Sequence, residues 1–94
     1  MTIVQEIADH VQKCGGSYFQ WYAGVAADGE QRLFNDHHVD RKNDVWIYRR
    51  CATSDEARAV EDYFIKRGMK GGPGGGDSTT TTVYAYKITN STRE

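Results

Sequence analysis

Three groups of residues in this chain are of a type and spacing that could do chemistry. Tyr22-Ala23-Gly24 ends an aromatic-rich stretch, and Arg32 follows ten residues after Tyr22 in a short helical segment. A phenol facing a guanidinium makes a phosphate site, because arginine binds a pair of phosphate oxygens through its fork of donors. The plain alternative is an aromatic on a sheet face and a solvated helix arginine. Glu61 is the second group. At helical spacing it shares a face with Ala57, Phe64 and Gly68, where an unpartnered carboxylate is costly. Such a residue pairs with an arginine, holds a divalent cation, or reaches out to the rim with its head in water. The third group is His37-His38, between Asp36 and Asp40. It could exchange a proton near neutral pH or simply face solvent. A zinc site needs more ligands at regular spacing than this stretch offers.

Weaker features surround these. GGPGGG at 71–76 lacks the Lys-Ser/Thr that completes a phosphate-cradling loop, and reads as a hinge or tight turn. Cys14 and Cys51 are too few for a disulfide framework and read as buried or half-buried thiols. Net charge is −1, with twelve Lys+Arg against thirteen Asp+Glu, which counts against tight non-specific binding to nucleic acid. Even so, Arg32, Arg41, Lys42, Arg49 and Arg50 fall within nineteen positions and hold five of the twelve cations. Several of them are expected to line one side of a Tyr22–Arg32 cleft, with the acidic surplus on the N-terminal helix and near Asp55 and Glu56. The alternative is that the strand arginines alternate into solvent.

The elements that must position these residues are readable from periodicity and punctuation. Ile3, Ile7, Val11 and Cys14 recur at helical spacing, so residues 2–13 form a helix. Thr2 and Gln5 make its capping box, and Gly15-Gly16 stop it. Residues 17–26 read as a strand, 30–36 as a short helix capped by Asp28 with Gln31, and 37–43 as polar loop. Residues 44–51 form a second strand. Thr53 with Glu56 opens a helix to about Arg67, closed by Gly68. The threonine run at 78–82 leads into a third strand at 83–88. One domain spans 1–94, since the length is too short for two. The expected class is α+β, a small three-stranded mixed sheet with helices packed on it. No basic leader followed by an apolar run is visible, and no stretch nears the ~20 apolar residues needed to span a bilayer, so a cytoplasmic protein is expected.

Taken together, the motifs resemble those of GIY-YIG endonuclease domains. WYAG at 21–24, followed by DGEQRLFNDHHV at 28–39, resembles the family's YIG strand, its turn and the helix carrying its arginine. SDEARAVEDYFI at 54–65 resembles the helix with the metal-binding glutamate, here Glu61. The family's opening GIY strand is missing before residue 18, where the amphipathic helix stands. The chain instead ends in YAYKITN at 84–90, which looks like the family's GIYKITN strand and puts Tyr86 in place of the GIY tyrosine. The resemblance thus implies a first strand supplied from the C-terminus, as in a circular permutation. Two departures stand out. The family's asparagine after the glutamate helix has only Asp77 as a counterpart, and the residue one turn after the arginine is Asp36, so His37 or His38 must serve.

What the resemblance implies is a Mg²⁺-dependent phosphodiesterase acting on DNA. Tyr22 or Tyr86 would deliver or relay the proton of the attacking water, and Arg32 would stabilise phosphate charge. His37 would assist proton transfer, and Glu61 would hold one Mg²⁺. A tyrosine with its ordinary pKa near ~10 needs positive charge beside it to act as a base. The rival is a catalytically inactive module that keeps the fold for binding or regulation, favoured by the acidic balance and the missing asparagine. A plain adaptor would scatter Tyr22, Tyr86, Arg32 and Glu61 over different faces.

Overall fold

Alternation of aromatic and small residues dictates a sheet with two unlike faces. In a computed structural model, which describes residues 2–71 and 78–94, that sheet has three strands: β1 (Trp21–Ala26), β2 (Trp46–Arg50) and β3 (Thr82–Lys87). Their order is β1-β3-β2, and both pairings are antiparallel. The expectation of a mixed sheet is therefore corrected. β1 and β2 run in the same direction, but β3 lies between them and opposes both, so no two named strands pair in parallel. The one parallel contact is an isolated bridge from Tyr22 to Lys70. There Ala23 N–H donates to the Lys70 carbonyl and Lys70 N–H to the Trp21 carbonyl, each at 2.9 Å. These bonds occupy part of the outer edge of β1, which would otherwise stay unpaired.

One face of the sheet carries Trp21, Ala23, Ile47, Val83 and Ala85. It packs against α1 (Ile3–Lys13) through Ile7 and Val11, and against α3 (Ser54–Lys66) through Ala57, Val60 and Phe64. The other face carries Tyr22, Ala26, Tyr84 and Tyr86 and is covered by Leu33 and Val39. These come from the β1–β2 connection, where α2 begins as one α-helical turn over Gly29–Gln31 and widens into a π-helix over Arg32–Asp36. Cys51 is buried and Cys14 half-buried, both as free thiols.

The caps follow the sequence closely. Thr2 and Gln5 form the reciprocal box at α1, at 3.1 and 2.8 Å. Asp28 accepts from Gln31 N–H at 3.2 Å. Thr53 accepts from Glu56 N–H at 3.1 Å, but the Glu56 carboxylate returns to Ala52 N–H at 2.7 Å, one residue before the cap. Gly68 closes α3 at φ 121°, a left-handed conformation that a residue with a Cβ resists. The expected strand at 17–26 is shorter at its start, because Tyr18–Gln20 forms a single 3₁₀ turn. Among the described residues, no helix is long and apolar enough to cross a membrane.

Candidate functional site

The site grows from one cross-strand pair. In the β1–β3 register Tyr22 stands opposite Tyr86, so their rings share a face and stack, with centroids 5.3 Å apart and planes 21° from parallel. One step along, Gly24 stands opposite Tyr84. A Cβ on Gly24 would run into the Tyr84 ring and hydroxyl, so only glycine lets that phenol lie flat across β1.

His37 closes the group from the third chain segment. Its ring lies 4.8 Å from Tyr22, 5.4 Å from Tyr84 and 4.9 Å from Tyr86, centroid to centroid. The π-helix explains how it gets there. An α turn after Arg32 would bring up Asp36, but a π turn holds one more residue, and His37 N–H donates to the Arg32 carbonyl at 2.9 Å. The wider turn thus places His37 one turn beyond Arg32. Asp36 is left outside, half-exposed, 3.4 Å from the Arg32 guanidinium. His38 then takes φ 56° and faces solvent, while Val39 turns back into the core. Of the two candidate histidines, the structure brings His37 into the cluster.

Its tautomer follows from its partners. Nδ1 lies 2.6 Å from the Arg93 carbonyl oxygen, which can only accept, so Nδ1 carries the hydrogen. Nε2 then accepts from the Tyr84 hydroxyl at 2.7 Å. The Arg32 guanidinium lies within electrostatic reach of the Tyr84 and Tyr22 hydroxyls. Tyr86 donates to the same Arg93 carbonyl at 3.0 Å. The result is a hydrogen-bonded chain with one polarity, from Tyr84 through His37 to the Arg93 backbone.

Burial sets the charge states. It lowers the His37 pKa, against the opposing Arg93 hydrogen bond, and so favours neutral imidazole. It pushes Tyr84 up to about 12 despite Arg32, and pushes Tyr86 up as well. Both phenols therefore stay protonated at neutral pH. Tyr22 differs from the other two tyrosines in that its hydroxyl makes no hydrogen bond among the described residues. Tyr22 retains 8% exposure where Tyr86 has none.

Glu61 stands on α3, which packs on the opposite face, so the four residues expected in one cleft are divided: Tyr22, Tyr86 and Arg32 belong to one side of the sheet and Glu61 to the helix on the other. It is 9% exposed, and its carboxyl pKa is raised by burial, with Arg58 opposing. It makes no hydrogen bond or ion pair among the described residues. It lies within electrostatic reach of Tyr84, across the β1 edge. Of the arginines, Arg32 does not pair with it, its guanidinium lying 3.4 Å from Asp36 instead. No group of three or more His, Cys, Asp or Glu that could hold a metal is present among the described residues.

The cations do not converge as expected. Arg49 stands on the α1 side of the sheet, 3.0 Å from Glu6, because strand alternation puts it with Val83 and not with the tyrosines. Arg41 pairs with Glu30 at 2.9 Å and covers the Phe34 ring at 4.1 Å. Lys42 is exposed in the loop. Arg50 stands opposite Thr82, on the tyrosine face, at the end of β2 away from the Tyr86 pair. Asp77 and the glycines at 72–76 lie outside the described residues.

Two participants were missed in the sequence. Tyr84 had a signal, since it alternates with Tyr86 and must share its face. The Arg93 carbonyl had none, because a backbone acceptor leaves no mark on residue type. Comparisons with protein-family models, curated proteins and solved structures return no match to this chain.

Proposed function

We propose that this chain is a cytoplasmic, Mg²⁺-dependent phosphodiesterase acting on DNA, of GIY-YIG type. The observation that carries the reading is the Tyr22–Tyr86 pair across β1 and β3, joined by His37 and Arg32 from a separate segment. A phosphate beside Tyr22 meets the half-exposed Arg32, whose guanidinium can stabilise developing negative charge. Tyr22, with its unengaged hydroxyl, is the phenol that accepts or relays the proton of the attacking water. Tyr86, buried and donating to Arg93, supports its ring. His37, bonded to Tyr84 through Nε2 and lying against the Tyr22 ring, is the group that assists proton transfer.

Glu61 fits a Mg²⁺ ligand. It is a half-desolvated carboxylate without a described partner, and Mg²⁺ usually takes one or two carboxylates and completes its shell with water and phosphate oxygens. When bound, the ion supplies charge stabilisation to the phosphate and its leaving oxygen.

A second reading is a non-catalytic binding module. It is favoured by the burial of His37 and Tyr86 and by the internal satisfaction of their hydrogen bonds. Supercoiled DNA incubated with the protein, with and without Mg²⁺, separates the two. The nuclease reading expects Mg²⁺-dependent nicking that Glu61→Ala abolishes. Nicking that persists in Glu61→Ala removes Glu61 as the metal ligand, and DNA binding without any nicking at high protein concentration favours the module.

A further inference from the structure

Residues 89–94 leave β3 and fold back over the site. Ile88 N–H still donates to the Gln20 carbonyl, at 2.7 Å, as the last bond along β1. The chain then reverses in a turn held by threonine hydroxyls. Thr89 N–H donates to Thr92 Oγ1 at 2.9 Å, Ser91 N–H donates to Thr89 Oγ1 at 3.3 Å, and Thr92 Oγ1 donates to the Thr89 carbonyl at 3.1 Å. The turn delivers Arg93 onto His37. Arg93 N–H donates to the His37 carbonyl at 2.6 Å, and the Arg93 carbonyl accepts from both His37 Nδ1 and Tyr86 Oη. Beyond it, the Glu94 carboxylate lies 3.9 Å from Lys70 Nζ, beside the β1 edge. One short segment thus links the end of β3, the end of α2 and the edge of β1. It occupies hydrogen-bonding groups of two site residues, which are 4% (His37) and 0% (Tyr86) exposed.

We propose that residues 89–94 are an occluding strap over the tyrosine–histidine site, and that the reactive form is the one in which Arg93 has released His37 and Tyr86. This rests on the phosphodiesterase reading. The holding bonds are few, two from the His37 and Tyr86 side chains and the rest from backbone and threonine hydroxyls, so the strap opens far more cheaply than the sheet. Release leaves His37 Nδ1–H and the Tyr86 hydroxyl to water without disturbing the β1–β3 ladder.

The test uses the full-length chain and two variants. Arg93→Pro removes the N–H that donates to His37, and the double change Thr89→Ala, Thr92→Ala removes the hydroxyls that set the turn. Two readouts are taken on folded protein, checked by circular dichroism. The first is the rate of His37 modification by diethyl pyrocarbonate, resolved by peptide mass spectrometry, with exposed His38 as internal reference. The second is Mg²⁺-dependent nicking of supercoiled DNA. Both variants are expected to raise His37 modification by about fivefold, the factor that losing one ordinary hydrogen bond gives in an opening equilibrium, and to raise nicking in parallel. Unchanged His37 modification overturns the strap, whatever the nicking shows. Raised modification with nicking that is measurable but unaltered also overturns it, since the segment then does not gate the reaction. Raised modification with no nicking by any of the three chains leaves the strap standing and removes the phosphodiesterase reading instead.

Discussion

At His37, burial and hydrogen bonding act on one imidazole in opposite directions, and burial prevails. A histidine whose folded pKa is depressed contributes stability that is present above its unfolded value, ~6.5, and lost as pH falls through that value toward the folded one. The chain should therefore melt progressively lower as pH drops below ~6.5. His37→Gln should flatten that dependence, with calorimetric melts from pH 7.5 to 5 as the measurement. Glu61 has the opposite sign. Its folded pKa is raised, so ionisation works against the fold once pH exceeds the ordinary value of 4.5. Glu61→Gln should raise the melting temperature by a few degrees at pH 7, lose that advantage near pH 4, and weaken the stabilisation that Mg²⁺ confers. A lower melting temperature at pH 7 would mean that Glu61 has an ion-pair partner after all. For activity, Tyr22→Phe should cost roughly 100- to 10,000-fold in nicking rate, as loss of a positioned acid–base group does, with the far-ultraviolet circular dichroism unchanged. At this scale the sequence guided part of the site: Tyr22, Tyr86 and His37 meet with Arg32 beside them, while Glu61 stands on the helix against the other face. It was a poor guide to which polar groups are paired, because pairing depends on neighbours that only the fold supplies.

Among the elements, the π-helix over Arg32–Asp36 is the device that fits an extra residue between the arginine and the histidine. Deleting Asp36 should turn it into an ordinary α turn and still present His37 to Tyr84. The expected outcome is a folded chain that retains the His37–Tyr84 hydrogen bond by NMR, and a chain with His37 in solvent would contradict it. Gly24 is the corresponding device in β1. Gly24→Ala drives a methyl into Tyr84 and should destabilise by about 1–3 kcal/mol, the usual cost of overpacking, as read from denaturant melts. The helices and their caps were legible because capping chemistry is local in sequence. The π-helix and the 3₁₀ turn at Tyr18–Gln20 were not, because they answer to what lies across the sheet. The sense of strand pairing was also hidden. It depends on β3 entering between β1 and β2, which no local pattern records.

Across the whole molecule, charge is interleaved and not segregated. Arg49 answers Glu6 on one side of the sheet, and Arg41 answers Glu30 on the other. Few cations remain to meet phosphate beside Tyr22, so duplex binding should be weak and steep in salt, with the logarithm of affinity falling by ~0.9 per phosphate neutralised. A fluorescence titration of labelled duplex at several salt concentrations measures that slope, and no detectable binding at low salt contradicts the DNA reading. The sheet order has a consequence of another kind. β1 and β2 occupy the outer positions and meet only through β3, the last of the three to be synthesised. Between Ala26 at the end of β1 and Thr82 at the start of β3, translation at about 5–20 residues per second leaves several seconds in which the nascent chain has no ladder to build. Throughout that interval Trp21 and Tyr22 have no sheet to be buried in, and both strand edges are open to other chains. A ribosome that stalls before residue 82 therefore releases a polypeptide with no folded core, a substrate for chaperones and proteases and not a truncated but working domain.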